Sequence, residues 1–208
     1  MSPLHPRTPP RNAASLVLYK RRAGQIYVLM GKRAKGHKFL PNVFVFPGGG
    51  VDKADFNTPI KAPLPPDIAR QLSVPGHMAQ AIATAAIRET FEETGLVIGD
   101  TSGGQLIPDL SQLDYIARAI TPTAAPIRFN TRFLMLDAAH ASGTLAGSGE
   151  LLNLHWFPLQ EARTMPLVDV TDFVLEVVEQ HLNNPEQRKD TFPLFTYING
   201  KPNIRWTA

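Results

Sequence analysis

Cysteine is absent from the 208 residues. That excludes a disulfide framework, a thiolate nucleophile and a thiolate-held zinc, and it leaves Asp, Glu and His to carry any metal. No apolar run approaches the ~18 residues that a membrane-spanning helix needs. The amino-terminal MSPLHPRTPPRNAAS lacks the apolar stretch of a secretory signal. Its prolines, Pro3, Pro6, Pro9 and Pro10, also oppose the amphipathic helix of an import signal. The reading is a cytoplasmic protein with no membrane attachment and a flexible arm over residues 1–13. Charge of one sign is scarce as well: 21 Lys and Arg against 18 Asp and Glu leave +3, too thin a field for nucleic-acid binding. With 43% hydrophobic and 19% charged residues, a disordered or fibrous chain is excluded and a single domain over 14–208 is expected.

From Ala14 the chain turns β-like. ASLVLYK and IYVLMGKR flank a break at Gly24 and predict a hairpin. The basic run Lys32, Arg33, Lys35 and Lys38 precedes Val43–Phe46, a short strand that ends at Pro47-Gly48-Gly49-Gly50. Residues 53–76 hold five prolines (Pro59, Pro63, Pro65, Pro66, Pro75) around one helical turn, DIARQLS, and read as an insertion on the substrate side. An alanine-rich helix from Met78 to Thr94 follows, with Gly95 suited to a left-handed cap. LVIG, DYIARAITP and RFNTRFLMLD read as strands, as does the segment through Leu154 and Trp156, with a helix starting near Leu159. TDFVLEVVEQHLNN is an amphipathic helix, and Asn199-Gly200 marks a hairpin whose second strand, carrying Pro202, belongs at an edge and is a candidate for homodimer contact. The sum is an α+β domain with a mixed sheet.

The helix ends in RETFEETG. At about 100° per residue, Glu92 and Glu93 fall within about 60° on either side of Glu89, so three carboxylates share one stripe. Like charges at the carboxyl end of a helix oppose one another and the macrodipole. Either a hard divalent cation compensates them, with Mg²⁺ or Mn²⁺ the apt choice for oxygen ligands, or the stripe is a solvated acidic face with Arg88 as its partner.

The glycine turn and this helix together resemble the signature of the Nudix hydrolases, whose closing half matches Arg88, Glu89, Thr90, Phe91, Glu92, Glu93, Thr94 and Gly95. The resemblance implies an α/β/α sandwich with an insertion inside the Nudix box, because Gly49 stands 39 residues before Arg88 instead of about fourteen. Counting back from Arg88 puts Gln80 where an early Glu is usual, and Asp52 or Asp55 is a candidate for the missing charge. The split box and the segment Ala117–Phe133 are similar to the acyl-coenzyme A diphosphatase branch, with Asn130 where Asp is usual.

The resemblance implies hydrolysis of a diphosphate in a nucleoside diphosphate joined to another group, coenzyme A derivatives first among them. Glu89, Glu92, Glu93 and the carbonyl of Gly48 would hold the metal. Arg88 would fix a carboxylate rotamer. The general base is Glu92 in the box or Glu150 in a distal Gly-rich loop. Arg128 and Arg132, on one face of a strand with Phe129 between them, are candidates for substrate binding, and solvent-facing strand arginines are the alternative. A ligand sensor without hydrolysis is the competing function on the same fold. His155 reads as a packed or surface residue and Trp156 as packing the sheet.

Overall fold

The computed structural model describes residues 8–34, 41–184 and 191–207. Lys35 and Lys38 of the basic run, and residues 1–7 of the arm, lie outside them. The strands and helices run β1 (Arg11–Arg22), β2 (Gln25–Arg33), β3 (Phe44–Val45), β4 (Gly48–Gly50), α1 (Pro66–Gln71), α2 (Gly76–Thr94), β5 (Gly99–Ser102), β6 (Gln105–Pro108), β7 (Asp114–Ile120), β8 (Phe129–Asp137), β9 (Leu151–Pro158), α3 (Leu159–Ala162), α4 (Asp169–Asn183), β10 (Phe192–Ile198) and β11 (Lys201–Thr207). A 3₁₀ turn, Ala54–Phe56, opens the insertion.

A nine-stranded mixed sheet carries the fold in the order β11-β10-β7-β8-β1-β2-β3, with β4 beside β1 and β9 beside β2. β1 lies parallel to β8 and β10 parallel to β7, while the other pairs are antiparallel. β1 and β8 sit at the centre and are covered on both faces, which is why SLVL and FLMLD are unbroken apolar runs with no polar alternation. Their alternate side chains serve two cores. Leu16, Leu18, Leu134 and Leu136 pack with Ile82, Ala83, Ala86 and Ile87 of α2. Val17, Phe133 and Met135 pack with Val174, Leu175 and Val178 of α4. The arrangement is the expected α/β/α sandwich.

Alanine at 79, 81, 83, 85 and 86 lets α2 sit close on the sheet, and every one of these side chains is inaccessible. Burying Ile82 and Ile87 there contributes about 1.5–3 kcal/mol each. Pro75 precedes the helix, and Gly95, at φ 73°, ends it by donating its N–H to the Phe91 carbonyl at 2.8 Å. A β-carbon at 95 would be strained in this left-handed conformation.

Several elements differ from expectation. β1 begins at Arg11, three residues before the expected boundary, because Arg11 pairs with Phe129. LVIG is not a strand: Leu96 and Ile98 turn into the core, and β5 begins only at Gly99, in a small hairpin with β6. The expected strand Val43–Phe46 shortens to two residues. The insertion lies against the α2 layer, where Leu64, Ile68 and Leu72 are buried and Ala62 bridges to Asp109, so it completes a core, and its Asp55 reaches Arg88 of the acidic helix. The hairpin at Asn199-Gly200 forms as expected, both residues at positive φ, with β11 at the sheet edge. Among the described residues no helix is long and apolar enough to cross a membrane.

Candidate active site

The glycine turn becomes β4 because its backbone pairs with β1, Ala14 opposite Gly49 and Ser15 opposite Gly48. This pairing brings it under the last two turns of α2. A β-carbon on Gly49 would stand 2.3 Å from Glu89 Oε1, and one on Gly48 would stand 2.4 Å from the Ala14 carbonyl oxygen. Glycine is therefore required for strand, turn and carboxylate to occupy one place. Gly48 donates its N–H to Glu93 Oε2 at 2.9 Å. This contact is made by its amide and leaves its carbonyl, the expected metal ligand, uninvolved in the bond to Glu93.

Arg88 organises the stripe. Its Nη1 donates to Glu89 Oε1 and to Glu92 Oε2, each at 3.0 Å. Its Nε and Nη2 fork onto Asp55 at 2.8 and 3.1 Å, and Nη2 also reaches the Gly50 carbonyl at 3.0 Å. The Asp55 side chain is inaccessible, whereas Asp52 lies 3.9 Å from Arg88 and is 74% exposed. Of the two aspartates considered as replacements for the early Glu, Asp55 makes the buried pair. Asp55 stands six residues after Gly49. Counting forward from the glycine finds it, while counting back from Arg88 across the insertion lands on Gln80.

Burial of Glu93 raises its carboxyl to about 8, opposed by the Gly48 amide and Arg33 and reinforced by Glu89 and Glu150. Glu89 is raised for the same first reason, with Arg88 pulling it back. On Arg88 burial acts downward, yet the Asp55 pair and the flanking glutamates leave it above the ordinary guanidinium range. Carboxylates gathered in this way form an oxygen donor set that suits a hard divalent cation, and the absence of a side chain at Gly49 is what lets the Glu89 carboxylate lie against the turn. Among the described residues no three acidic or histidine side chains already converge on one point. Glu89 and Glu92 are held by Arg88 and would rotate to serve as ligands.

Beside the glycine turn, on the α4 side of the sheet, lies a cavity of about 370 Å³. Gly48 and Gly49 form one end, Phe46, Phe129 and Phe133 line its body, and Arg33 contributes to its wall. Burial lowers the Arg33 pKa, against the pull of Glu93. Phe129, a candidate for substrate binding, lines this cavity, whereas Arg128 and Arg132 are not in its wall. The parity of β8 sends Arg132 to the α2 side, and Arg128 precedes the strand. Arg132 is 1% exposed, donating from Nη1 to Asn12 Oδ1 at 2.9 Å, and burial, then Arg118, lowers it to about 10. Arg128 donates to the carbonyls of Thr8 and Thr121 at 2.9 and 3.3 Å. Arg33 was missed because a basic run reads as solvated loop.

Asn130 accepts from Arg118 Nε at 2.7 Å. A carboxylate here would accept from Arg118, so Asn130→Asp is expected to raise stability by about 1 kcal/mol, the difference between a neutral and a charge-assisted hydrogen bond. Urea denaturation checks it, and an unchanged or lower midpoint contradicts it.

Glu150 is exposed in the loop before β9, close enough for its charge to act on Glu93. Trp156 packs against the α2-side core as expected, with Lys20 Nζ 4.3 Å over the indole, while His155 is exposed and its ring meets Phe157 at 5.4 Å.

Comparison with known proteins matches residues 9–176 to the NUDIX domain family. A Caenorhabditis elegans protein provisionally called nudix hydrolase 7 is 27% identical over 177 residues, 73% of this chain and 52% of that protein. Acyl-coenzyme A diphosphatase NUDT19 of Xenopus laevis is 32% identical over 96 residues, 34% of this chain and 25% of the frog protein. This chain therefore spans about half the length of the first relative and a quarter of the second. The crystal structure of a NUDIX hydrolase from Alicyclobacillus acidocaldarius superposes with a TM-score of 0.64 at 28% identity, covering 83% of this chain and 92% of that one.

Proposed function

The chain belongs to the NUDIX domain family, and from that premise we propose that it is a pyrophosphohydrolase acting in the cytoplasm on a nucleoside diphosphate joined to a second group, coenzyme A or an acyl-coenzyme A first among candidates. The observation that carries the reading is the placement of Glu89, Glu92 and Glu93 against a glycine turn that opens directly onto an apolar cavity. The split box and the partial likeness to a frog acyl-coenzyme A diphosphatase support the coenzyme A part.

Glu89, Glu92 and Glu93 are the residues that would hold Mg²⁺ or Mn²⁺. Bound there, the cation would supply Lewis acidity toward water and charge neutralisation toward the diphosphate. Arg88, anchored on Asp55, limits the rotamers open to Glu89 and Glu92. The Gly48 amide holds Glu93 in place. Arg33 places positive charge in the cavity wall near the end where phosphate would enter. Glu92, the most exposed of the stripe at 53% and paired with Arg88, and Glu150, exposed before β9, are the two candidates to accept the proton of an attacking water.

The test is to incubate the purified protein with Mg²⁺ or Mn²⁺ and coenzyme A, acyl-coenzyme A, ADP-ribose, NADH, diadenosine polyphosphates and nucleoside triphosphates, and to identify products by mass. Cleavage of a diphosphate linkage, abolished by EDTA, is expected. Binding without cleavage of any member transfers the assignment to a nucleotide sensor. Glu150→Gln is expected to lower kcat by about 10²-fold with the thermal midpoint unchanged, since the side chain is exposed. Normal turnover in this variant assigns the base to Glu92.

A further inference from the structure

The cavity wall combines the glycine turn, which is in contact with Glu89 and Glu93, with a group of aromatic rings. Asp169, the first residue of α4 and exposed, belongs to the wall as well. Its Oδ1 accepts the Val170 N–H at 2.9 Å and the Tyr197 hydroxyl, and among the described residues none donates to Oδ2. Burial and then the bond to Asp169 push the Tyr197 hydroxyl up, so it remains a donor at any physiological pH.

Tyr197 and its neighbour Phe195, also in the wall, come from β10, which joins the sheet by pairing Leu194 with Arg118 and Phe195 with Ala119. That strand lies beyond the stretch 9–176 that matches the family. The residue that orients Asp169 is therefore supplied by an element added to the matched region.

A substrate whose diphosphate lies at the glycine end would lay its adjoining half among Phe46, Phe129, Phe133 and Phe195. We infer that this half is a nucleobase and that Asp169 reads an exocyclic amine on it; the inference rests on the hydrolase reading above and names the part of the substrate the cavity takes. A flat ring gains edge and face contacts with aromatic side chains. A volume of about 370 Å³ lies within the range of pockets for small ligands. The carboxylate decides between occupants. It can only accept, so it favours an N–H donor and disfavours a carbonyl at the same position. A saturated acyl chain would cover it with nothing to pair.

The test is calorimetric titration with AMP and with IMP in the absence of metal, two ligands that differ in an amine against a carbonyl on the base. The wild-type chain is expected to bind AMP at least tenfold more tightly. Asp169→Asn is expected to bring the two within threefold, because a carboxamide accepts from the amine or donates to the carbonyl. Asp169→Ala is expected to weaken AMP more than IMP. Tyr197→Phe keeps the ring and releases the carboxylate, so the ratio narrows while the thermal midpoint holds. Equal binding of AMP and IMP by the wild type, or an undiminished ratio in Asp169→Asn, overturns the inference. AMP preference in a protein that cleaves none of the diphosphates sinks the hydrolase reading alone, whereas cleavage without base preference sinks only this one.

Discussion

Glu93→Gln is expected to lower kcat by about 10²–10³-fold, the loss that follows removal of one preorganised charged group from an active site, and to stabilise the metal-free fold at alkaline pH. The second effect follows from burial, which lifts the carboxyl to about 8 from the ~4.3 of an exposed glutamate. Between those values the folded chain keeps a proton that the unfolded chain has lost, so stability falls as pH rises through the window and levels off above it. Glutamine cannot ionise and removes that slope. The variant should melt above the wild type at pH 9 without metal, the gap closing toward pH 5. Added Mg²⁺ should raise the wild-type midpoint more at pH 9 than at pH 6, because protons and cation compete for one carboxylate. A wild-type midpoint independent of pH across this interval contradicts the burial argument.

Asp55→Asn is expected to cost about 3–5 kcal/mol, since it leaves the Arg88 guanidinium without its inaccessible partner. Asp52→Asn is expected to cost less than about 0.5 kcal/mol, because an exposed charge at 3.9 Å is screened by water. Arg88 released from Asp55 would also cease to restrain Glu89 and Glu92, so kcat should fall in the first variant even at a temperature where it remains folded. Chemical denaturation and initial rates below the melting range check both. Equal stabilities for the two variants would remove Asp55 from its anchoring role.

Most of the secondary structure was legible because period and punctuation agreed. The alanine-rich helix closes at Gly95, the Asn199-Gly200 hairpin turns where it should, and RFNTRFLMLD, read as a strand from its alternation, forms β8. LVIG misled because a short apolar segment is equally content as irregular chain packed against a core, and Leu96 and Ile98 take that course. Within the insertion the prolines hid a packed segment, for which Leu64, Ile68 and Leu72 at wide spacing were the signal.

The acidic stripe was determined within the sequence, since helical geometry places Glu89, Glu92 and Glu93 together whatever the rest of the chain does. The need for glycine at the turn facing them came with the fold, since it follows from the pairing of β4 with β1 beneath α2. The fate of the arginines was decided by tertiary structure. Local periodicity says that Arg128 and Arg132 share a face but not which layer that face meets. The parallel register with β1 turns Arg132 inward toward α2 and gives the cavity Phe129 and Phe133. Arg33, Asp169 and Tyr197 come from β2, α4 and β10, far apart in the chain, and only the folding of those elements around one opening brings them together.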